Sequence, residues 1–478
     1  MCGYGDEVPT SSTHRGPAAA AVPATPATGP AAEDEVVSIC RDLIRIDTTN
    51  YGDGSGPGER AAAEYVAELL GEVGLEPTVF ESGPRRTSLI TRVEGADPSR
   101  PALLVHGHLD VVPARPEDWA VHPFSGEERD GCLWGRGAVD MKDMDAIVLA
   151  TVRRMVRDGE KPPRDVVLAF LADEEAGGVN GAHYAVDHHA ELLDGVTEAV
   201  SEVGGFSVDL AGRRAYLLQT AEKGIMWLRL VAHGRAGHGS QVNSDNAVTR
   251  LAAAVARIGA HEWPVEVPAT VRAFLEGVTD VTGRTVATGV PQPLGGREVP
   301  PGTALELDVP VLRELLGTTA RWVEATLRNT SNPTVLEAGY KHNVIPGTAT
   351  ALVDCRFLPG RDDELFATIQ ELAGPGVDVQ TVIRDVALEV PFEGPLVDAM
   401  VAALHAEDPD AAVLPYCLSG GTDNKGFSRL GIAGYGFAPL RLPPELDFAG
   451  MFHGVDERVP LDSLRFGVRT FDRFLRTC

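Results

Sequence analysis

Short apolar runs, bounded by turn residues and alternating with amphipathic helices, constrain this chain more than any other feature. The runs are Ser88-Leu89-Ile90-Thr91-Arg92-Val93, Ala102-Leu103-Leu104-Val105-His106, Val166-Val167-Leu168-Ala169-Phe170-Leu171 and Ala199-Val200-Ser201. Around them lie helical spacings. Val36, Val37, Ile39, Cys40, Leu43 and Ile44 follow Glu33-Asp34-Glu35, a second helix is expected from Glu59 to about Gly74, and Ile147, Val148, Val152, Met155 and Val156 mark a third from Ala146 to Arg157. Runs that are apolar throughout belong to strands buried on both faces, and strands that alternate with helices form a doubly wound, mostly parallel α/β sheet.

The pattern changes after about Tyr216. Ile225 to Val231 alternates, Asn246 to Ile258 is helical, Ala349 to Arg356 alternates, Asp362 to Leu372 is helical, and a strand follows near Val377 to Arg384. This predicts a half-exposed, two-layer α+β lid inserted into the first domain. A chain of 478 residues also exceeds the roughly 250–300 residues at which one core stops growing. The expected organisation is a tail at 1–32, a catalytic domain in two parts at 33–217 and 390–478, and a lid at 218–389. Within the lid, 262–325 is Pro-rich, turn-prone from Thr279 to Gly296, and reads as an insertion. The tail has Pro every few residues and little to bury, which predicts disorder. Leu461 to Leu475 closes the chain as a helix.

Charge and cysteine usage exclude several classes. A net charge of −27 argues against a nucleic-acid or anionic-membrane partner. No window holds the ~18 consecutive apolar residues of a membrane span, and the first residues lack the basic and apolar regions of a secretory signal. Cys2, Cys40, Cys132, Cys355, Cys417 and Cys478 are scattered without a C-x-x-C pair. Free thiols and a cytoplasmic location are the expectation.

Polar residues gather at the ends of the predicted strands, where open α/β sheets bind ligands. His108 and Asp110, two apart on an extended segment, face the same way and suit a metal-binding imidazole with its orienting carboxylate; a polar strand end is the alternative. Asp140, in Gly135-Arg136-Gly137-Ala138-Val139-Asp140, is either a ligand or a helix N-cap. Asp173-Glu174-Glu175 ends an apolar run, and three anions there repel unless a cation or solvent intervenes. Glu202 ends another run, and His453 lies in a loop before the last helix, where a lone histidine is ordinarily structural. Together these residues supply two imidazoles and three carboxylates, the donor mix of Zn²⁺, Mn²⁺ or Co²⁺ rather than Ca²⁺, with one Glu left as a base.

The chain resembles the co-catalytic zinc metallopeptidases that include aminoacylase, acetylornithine deacetylase, succinyl-diaminopimelate desuccinylase, carboxypeptidase G and carnosine dipeptidases. The resemblance covers everything after the tail. It rests on His106 to Pro113, Trp119 to Phe124, Gly135 to Lys142, Asp173 to Glu175, Gly420-Gly421-Thr422-Asp423, and His453 with Glu457-Arg458. It implies two Zn²⁺ per subunit, with Co²⁺ or Mn²⁺ as substitutes. His108 and Glu202 would hold one ion, Glu175 and His453 the other, and Asp140 would bridge. It also implies a cis peptide after Asp140, Glu174 as general base and Asp110 as the group orienting His108. His238 is matched to a histidine that reaches the partner subunit's site and stabilises the oxyanion, in a homodimer formed through the lid. His233 competes for that role, but its alternation along the preceding strand favours a structural place, as expected also for His122 and His342. Asn343 and Arg356 are matched to substrate-holding positions, Arg356 through a bidentate grip on a carboxylate, and Gly420, Gly421 and Thr422 to backbone donors. The length of 262–325 resembles the larger lids of the carboxypeptidase-S and aminoacylase branches. The implied activity is metal-dependent hydrolysis of an amide bond in an N-acyl amino acid or small peptide. Alternatives are a carbamoyl or ureido amino acid hydrolase and an inactive metal-binding sensor; the intact Glu174 argues against the sensor.

Overall fold

The computed structural model describes residues 31–288, 306–317 and 320–478. The expected tail lies outside the described residues as far as position 30, and helix α1 (Ala32–Arg45) begins almost at once. Its first turn carries Glu33, Asp34 and Glu35 and its last turn Arg45, which complements the helix dipole. Its apolar stripe (Val36, Ile39, Cys40, Leu43, Ile44) is buried. After α2 (Arg60–Gly71), helix α3 (Lys142–Arg157) packs on α1, and Glu35 reaches across to Arg153 Nε at 2.8 Å and Arg157 Nη2 at 2.6 Å.

The first part of the chain supplies seven strands of the main sheet: β1 (Thr78–Gly83), β2 (Arg86–Val93), β3 (Ala102–His108), β4 (Val166–Leu171), β5 (Val196–Ser201), β6 (Phe206–Leu210) and β7 (Arg213–Glu222). The chain then enters the lid, which has a four-stranded antiparallel sheet of β8 (Gly224–His233), β10 (Thr330–Ala338), β12 (Thr348–Phe357) and β13 (Val377–Asp385), and a short pair of β9 (Gly237–His238) and β11 (Val344–Ile345). The four-stranded order is β10-β12-β8-β13, and β9 pairs with β11 beside it. Strands β14 (Leu388–Glu389), β15 (Ala412–Leu418) and β16 (Ala433–Gly436) complete the main sheet in the order β1-β2-β4-β3-β5-β16-β7-β14, with β15 and β6 also on β7. The central β4-β3-β5-β16 run parallel, β15 is parallel to β7, and the remaining pairs (β1-β2, β2-β4, β16-β7, β7-β14 and β6-β7) are antiparallel. The α/β class expected from the apolar runs holds, with parallel pairing in the middle of the sheet and again between β15 and β7.

The main sheet and the lid sheet each build a core of their own, the main one in two clusters. After α4 (Ala182–His188), the lid sheet is covered by α5 (Ala247–Gly259) and, further along, by a helix at Asp362–Ala373; Met226, Leu228, Leu251, Ile258, Val353 and Leu365 form their own buried cluster. Asn246 caps α5 by accepting from Val248 N at 2.9 Å and Thr249 N at 3.3 Å. The stretch 262–325, expected as an insertion in the lid, is divided: Trp263 does join the lid cluster, but the described residues from Val267 onward pack on the main core. Its helix α6 (Ala269–Thr282) buries Val271, Phe274, Leu275 and Val278 in the main core beside Leu217 and Leu414. Gly277 permits this approach, because a Cβ there would lie 2.4 Å from Leu414 Cδ2. Residues Thr279 to Thr282, expected as turn, finish that helix; Gly289 to Gly296 lie outside the described residues. Among the described residues, no helix is long and apolar enough to cross a membrane, and Cys40, Cys132, Cys355, Cys417 and Cys478 are free thiols.

Candidate metal centre

Parallel strands that end side by side bring their following residues to one edge. His108 closes β3 in register with Leu171, the end of β4. Beyond Leu171 the chain turns at Asp173 (φ +71) and delivers Glu174 and Glu175. Glu202 follows the end of β5, with Val203 at φ +52, and His453 sits at φ +57 in its loop. Non-glycine residues at positive φ are uncommon, and here three of them border one site. The peptide between Asp140 and Met141 is cis.

Two donor groups result. His108, Asp140 and Glu202 form one, and Asp140, Glu175 and His453 the other, each with its ligand atoms within 4.8 Å of one another. Asp140 Oδ1 lies 3.2 Å from His108 Nε2, and Asp140 Oδ2 lies 3.3 Å from His453 Nε2. His453 Nε2 is 3.0 Å from Glu175 Oε2, and His108 Nε2 is 3.7 Å from Glu202 Oε2 and 4.0 Å from Glu174 Oε2.

This concentration of carboxylates is electrostatically incomplete. Among the described residues, no lysine or arginine pairs with Asp140, Glu174, Glu175 or Glu202. Burial pushes the Glu174 carboxyl well above its usual range, with Glu202, Glu175 and Asp423 adding to it against the opposing charge of His108. Burial likewise raises Glu202 to about 7. Burial alone would raise Asp140 too, but hydrogen bonds from His108 and His453 hold it below the usual carboxylate range. A buried cluster of anions and imidazoles with mixed N/O donors fits one or two divalent cations of the zinc class.

The supporting groups differ in part from expectation. His108 Nδ1 is 3.0 Å from the main-chain oxygen of Asp110 and 3.6 Å from its carboxylate. The Asp110 carboxylate instead accepts from Asn50 Nδ2 at 2.9 Å and from the amides of Glu174 at 3.1 Å and Glu175 at 3.2 Å. It therefore aligns the Glu174-Glu175 backbone as well as lying under His108. Thr422, expected as a donor to substrate, spends its amide (3.0 Å) and hydroxyl (2.6 Å) on the buried Glu222. Arg356 lines the cavity beside the centre, but Asp354 already takes its Nε (2.7 Å) and Nη2 (3.1 Å). The end-on edge of the guanidinium remains for a carboxylate.

The cavity has a volume of about 300 Å³. Asp140, Glu174, Glu175, Glu202, His453, Gly420 and Gly421 face it from the main domain, and Ile225, Trp227 and Arg356 from the lid. His238 and Asn343 do not line it. They sit together at the exposed β9–β11 pair, where Gly239 N donates to Asn343 O at 2.9 Å, and His238 Nδ1 is 2.8 Å from Ser240 Oγ. His233 is also exposed, with Nε2 3.4 Å from Asp378.

Several residues of the site were missed in the sequence. Asp423 is buried at the cavity wall and raised well above its usual range by burial. His183 and Asp385 meet at 3.5 Å across its rim. Glu457, quoted only within a motif, accepts from Arg136 Nη1 and Val139 N at 2.7 Å and from Gly137 N at 3.1 Å. It thereby fastens the Asp140 loop to the His453 loop. Adjacent motif residues were the available signal for Asp423 and Glu457. His183 and Asp385 gave none.

Comparison with known proteins places this geometry. Residues 104–477 match Peptidase family M20/M25/M40. The chain is 27% identical over 471 residues to the N-fatty-acyl-amino acid synthase/hydrolase PM20D1 of Xenopus tropicalis, covering 92% of this chain and 85% of that protein. It is 26% identical over 459 residues to Aminoacylase-1 of Homo sapiens, covering 94% and 96%. Among solved structures, an M20 family metallo-carboxypeptidase, Sso-CP2 from Sulfolobus solfataricus, superposes with a TM-score of 0.70 at 18% identity, over 93% of this chain and 99% of that one. Human carnosine dipeptidase 1 gives a TM-score of 0.64 at 16% identity, over 93% and 96%.

Proposed function

Since the chain belongs to Peptidase family M20/M25/M40, a family of metal-dependent hydrolases, we propose that it cleaves the amide bond of an N-acyl amino acid or small peptide, using two zinc-class cations per subunit. The observation that carries this reading is one carboxylate, Asp140, shared between two imidazole–carboxylate groups, with Glu174 beside them at a cavity of about 300 Å³. His108 and Glu202 would complete one cation site and Glu175 and His453 the other. Bound there, the cations supply water of lowered pKa (about 7 on zinc) and polarise a carbonyl.

The chain's own residues supply the remaining steps. Glu174 takes a proton from the attacking water at its carboxylate and returns it to the leaving nitrogen. Asp110 keeps the Glu174 amide in place while this occurs. The apolar walls Ile225, Trp227, Val203 and Leu418 suit an acyl chain or an apolar side chain, and the end-on edge of Arg356 suits a carboxylate. His238 and Asn343, outside this chain's own cavity, complete the site of a second copy in a homodimer formed through the lid, where His238 holds the oxyanion.

The test is metal analysis of the purified protein with a panel of N-acetyl amino acids, dipeptides and carbamoyl amino acids, before and after chelation. Close to two zinc, manganese or cobalt ions per chain, with amide hydrolysis lost on chelation and regained on metal return, is expected. Turnover confined to carbamoyl substrates would replace the substrate class, and absence of bound metal after reconstitution would overturn the reading.

A further inference from the structure

Among the described residues, the chain passes between the two cores four times: at Glu222–Gly224, near 263–271, near 327–330 and at 385–388. Two buried ammonium groups converge on three of these crossings. Lys425 Nζ, from the helix α7 we assign to Asn424–Ser428, donates to the main-chain oxygens of Lys223 and Val386, both at 2.9 Å, and lies 3.1 Å from Glu222 Oε2. Lys223 Nζ donates to the main-chain oxygens of Ala325 and Arg328, both at 2.8 Å, and to Thr330 Oγ1 at 3.3 Å. Both side chains are fully or almost fully buried. Glu222, at the first crossing, also receives the amide and hydroxyl of Thr422. Gly421 lies directly on the lysine stem, since a Cβ there would be 2.4 Å from Lys425 Cε. The same loop lines the cavity with Gly420 and Gly421, while Ile225 and Trp227 of the lid begin just beyond Lys223.

We infer that Lys425 and Lys223 are positioning residues that fix the lid over the cavity, binding three separate crossings of the chain to the loop that forms the cavity's far wall. A hinge is a few residues that absorb the backbone change of a domain movement. Here Lys223, Val386, Ala325 and Arg328 have their carbonyls held by ammonium groups whose three donors diverge from a single point, a geometry that a planar guanidinium does not reproduce. Removing the Lys425 ammonium frees carbonyls at two crossings at once. The lid residues then lose their fixed distance from Glu174 and Asp140, so substrate contact suffers before the cation donors do. The consequence for substrate rests on the proposed hydrolase function, whereas the anchoring itself does not.

The experiment compares the full-length protein with Lys425→Met, and with Glu222→Gln/Lys425→Met, which removes both charges should the single change leave Glu222 too costly to bury. Hydrogen exchange is followed by peptide, alongside zinc content and steady-state kinetics on whichever panel substrate is turned over. Expected is at least a tenfold rise in exchange within 220–224 and 385–390, unchanged exchange in β3 and β4, unchanged zinc content, and a KM raised about tenfold with kcat altered less. Unchanged exchange at the crossings, or an even rise through the main sheet, would overturn the inference. If exchange responds as expected but no substrate is found, the anchoring stands and only the hydrolase reading fails.

Discussion

Glu174 and Asp140 carry different loads at the residue scale, and substitution separates them. Glu174→Gln keeps the shape and removes the base, so metal content and thermal unfolding should match wild type while kcat falls by roughly 10²–10⁴, the usual worth of a general acid–base group. Full metal with near-normal turnover would reassign the base. Asp140→Ala removes the ligand common to both groups, so metal per chain should drop well below that of Glu202→Ala, read by elemental analysis after dialysis. The candidate donors were legible because each member ends an apolar run or sits in a motif rich in Gly, His or carboxylates. The engagement of Thr422 with Glu222 and of Arg356 with Asp354 was not, because nothing in a linear sequence reveals that a donor is already taken. The lysines make the same point. Of five lysines in the chain, Lys142, Lys223 and Lys425 are buried. Lys142 Nζ also donates to two main-chain oxygens, Leu43 and Ile46, at 2.9 Å. Their scarcity among 37 arginines was visible, but not their use.

At the element scale, period and length were decisive. The run Val166 to Leu171 and the helix Leu461 to Leu475 match the observed elements residue for residue, because an uninterrupted apolar run and an amphipathic repeat between turn residues leave little choice. Helix α3 starts at Lys142 rather than the expected Ala146, since Asp143 and Asp145 are buried polar residues that an apolar pattern does not count. Contacts between elements give two predictions. Gly277→Val on α6 should cost about 1–3 kcal/mol by overpacking against Leu414, measured by urea unfolding; a neutral change would mean that α6 does not press on β15. Glu35 joins α1 to α3. Burial would raise its carboxyl, but hydrogen bonds from Arg157 and Arg153 outweigh this and hold it below 4.5. A lowered folded pKa contributes stability that is present above the unfolded value and lost as pH falls through the folded one. Glu35→Gln should therefore cost about 1.5–3 kcal/mol at pH 7 and progressively less below pH 4.5. A cost independent of pH would contradict the role of its charge.

For the whole molecule, the proposed homodimer makes a prediction that no single-chain measurement can reproduce. If His238 serves the partner's site, mixing inactive Glu174→Gln with inactive His238→Ala and allowing subunits to exchange yields heterodimers with one intact site each. Recovery should approach about a quarter of wild-type activity for random exchange in a twofold assembly; no recovery would place His238 in its own subunit or outside catalysis. The sequence by itself determined the α/β class, the lid's strand and helix pattern, and the candidate donors at strand ends, since periodicity and chain order act locally and are written in neighbouring residues. Only the tertiary structure decided that the helix Ala269–Thr282 covers the main core rather than the lid, that His183 meets Asp385 across the cavity rim, and that two buried ammonium groups meet the crossings. Each of these depends on segments that are distant in sequence, and their meeting is set by packing and by the need of buried carbonyls and charges for partners, not by local residue preference.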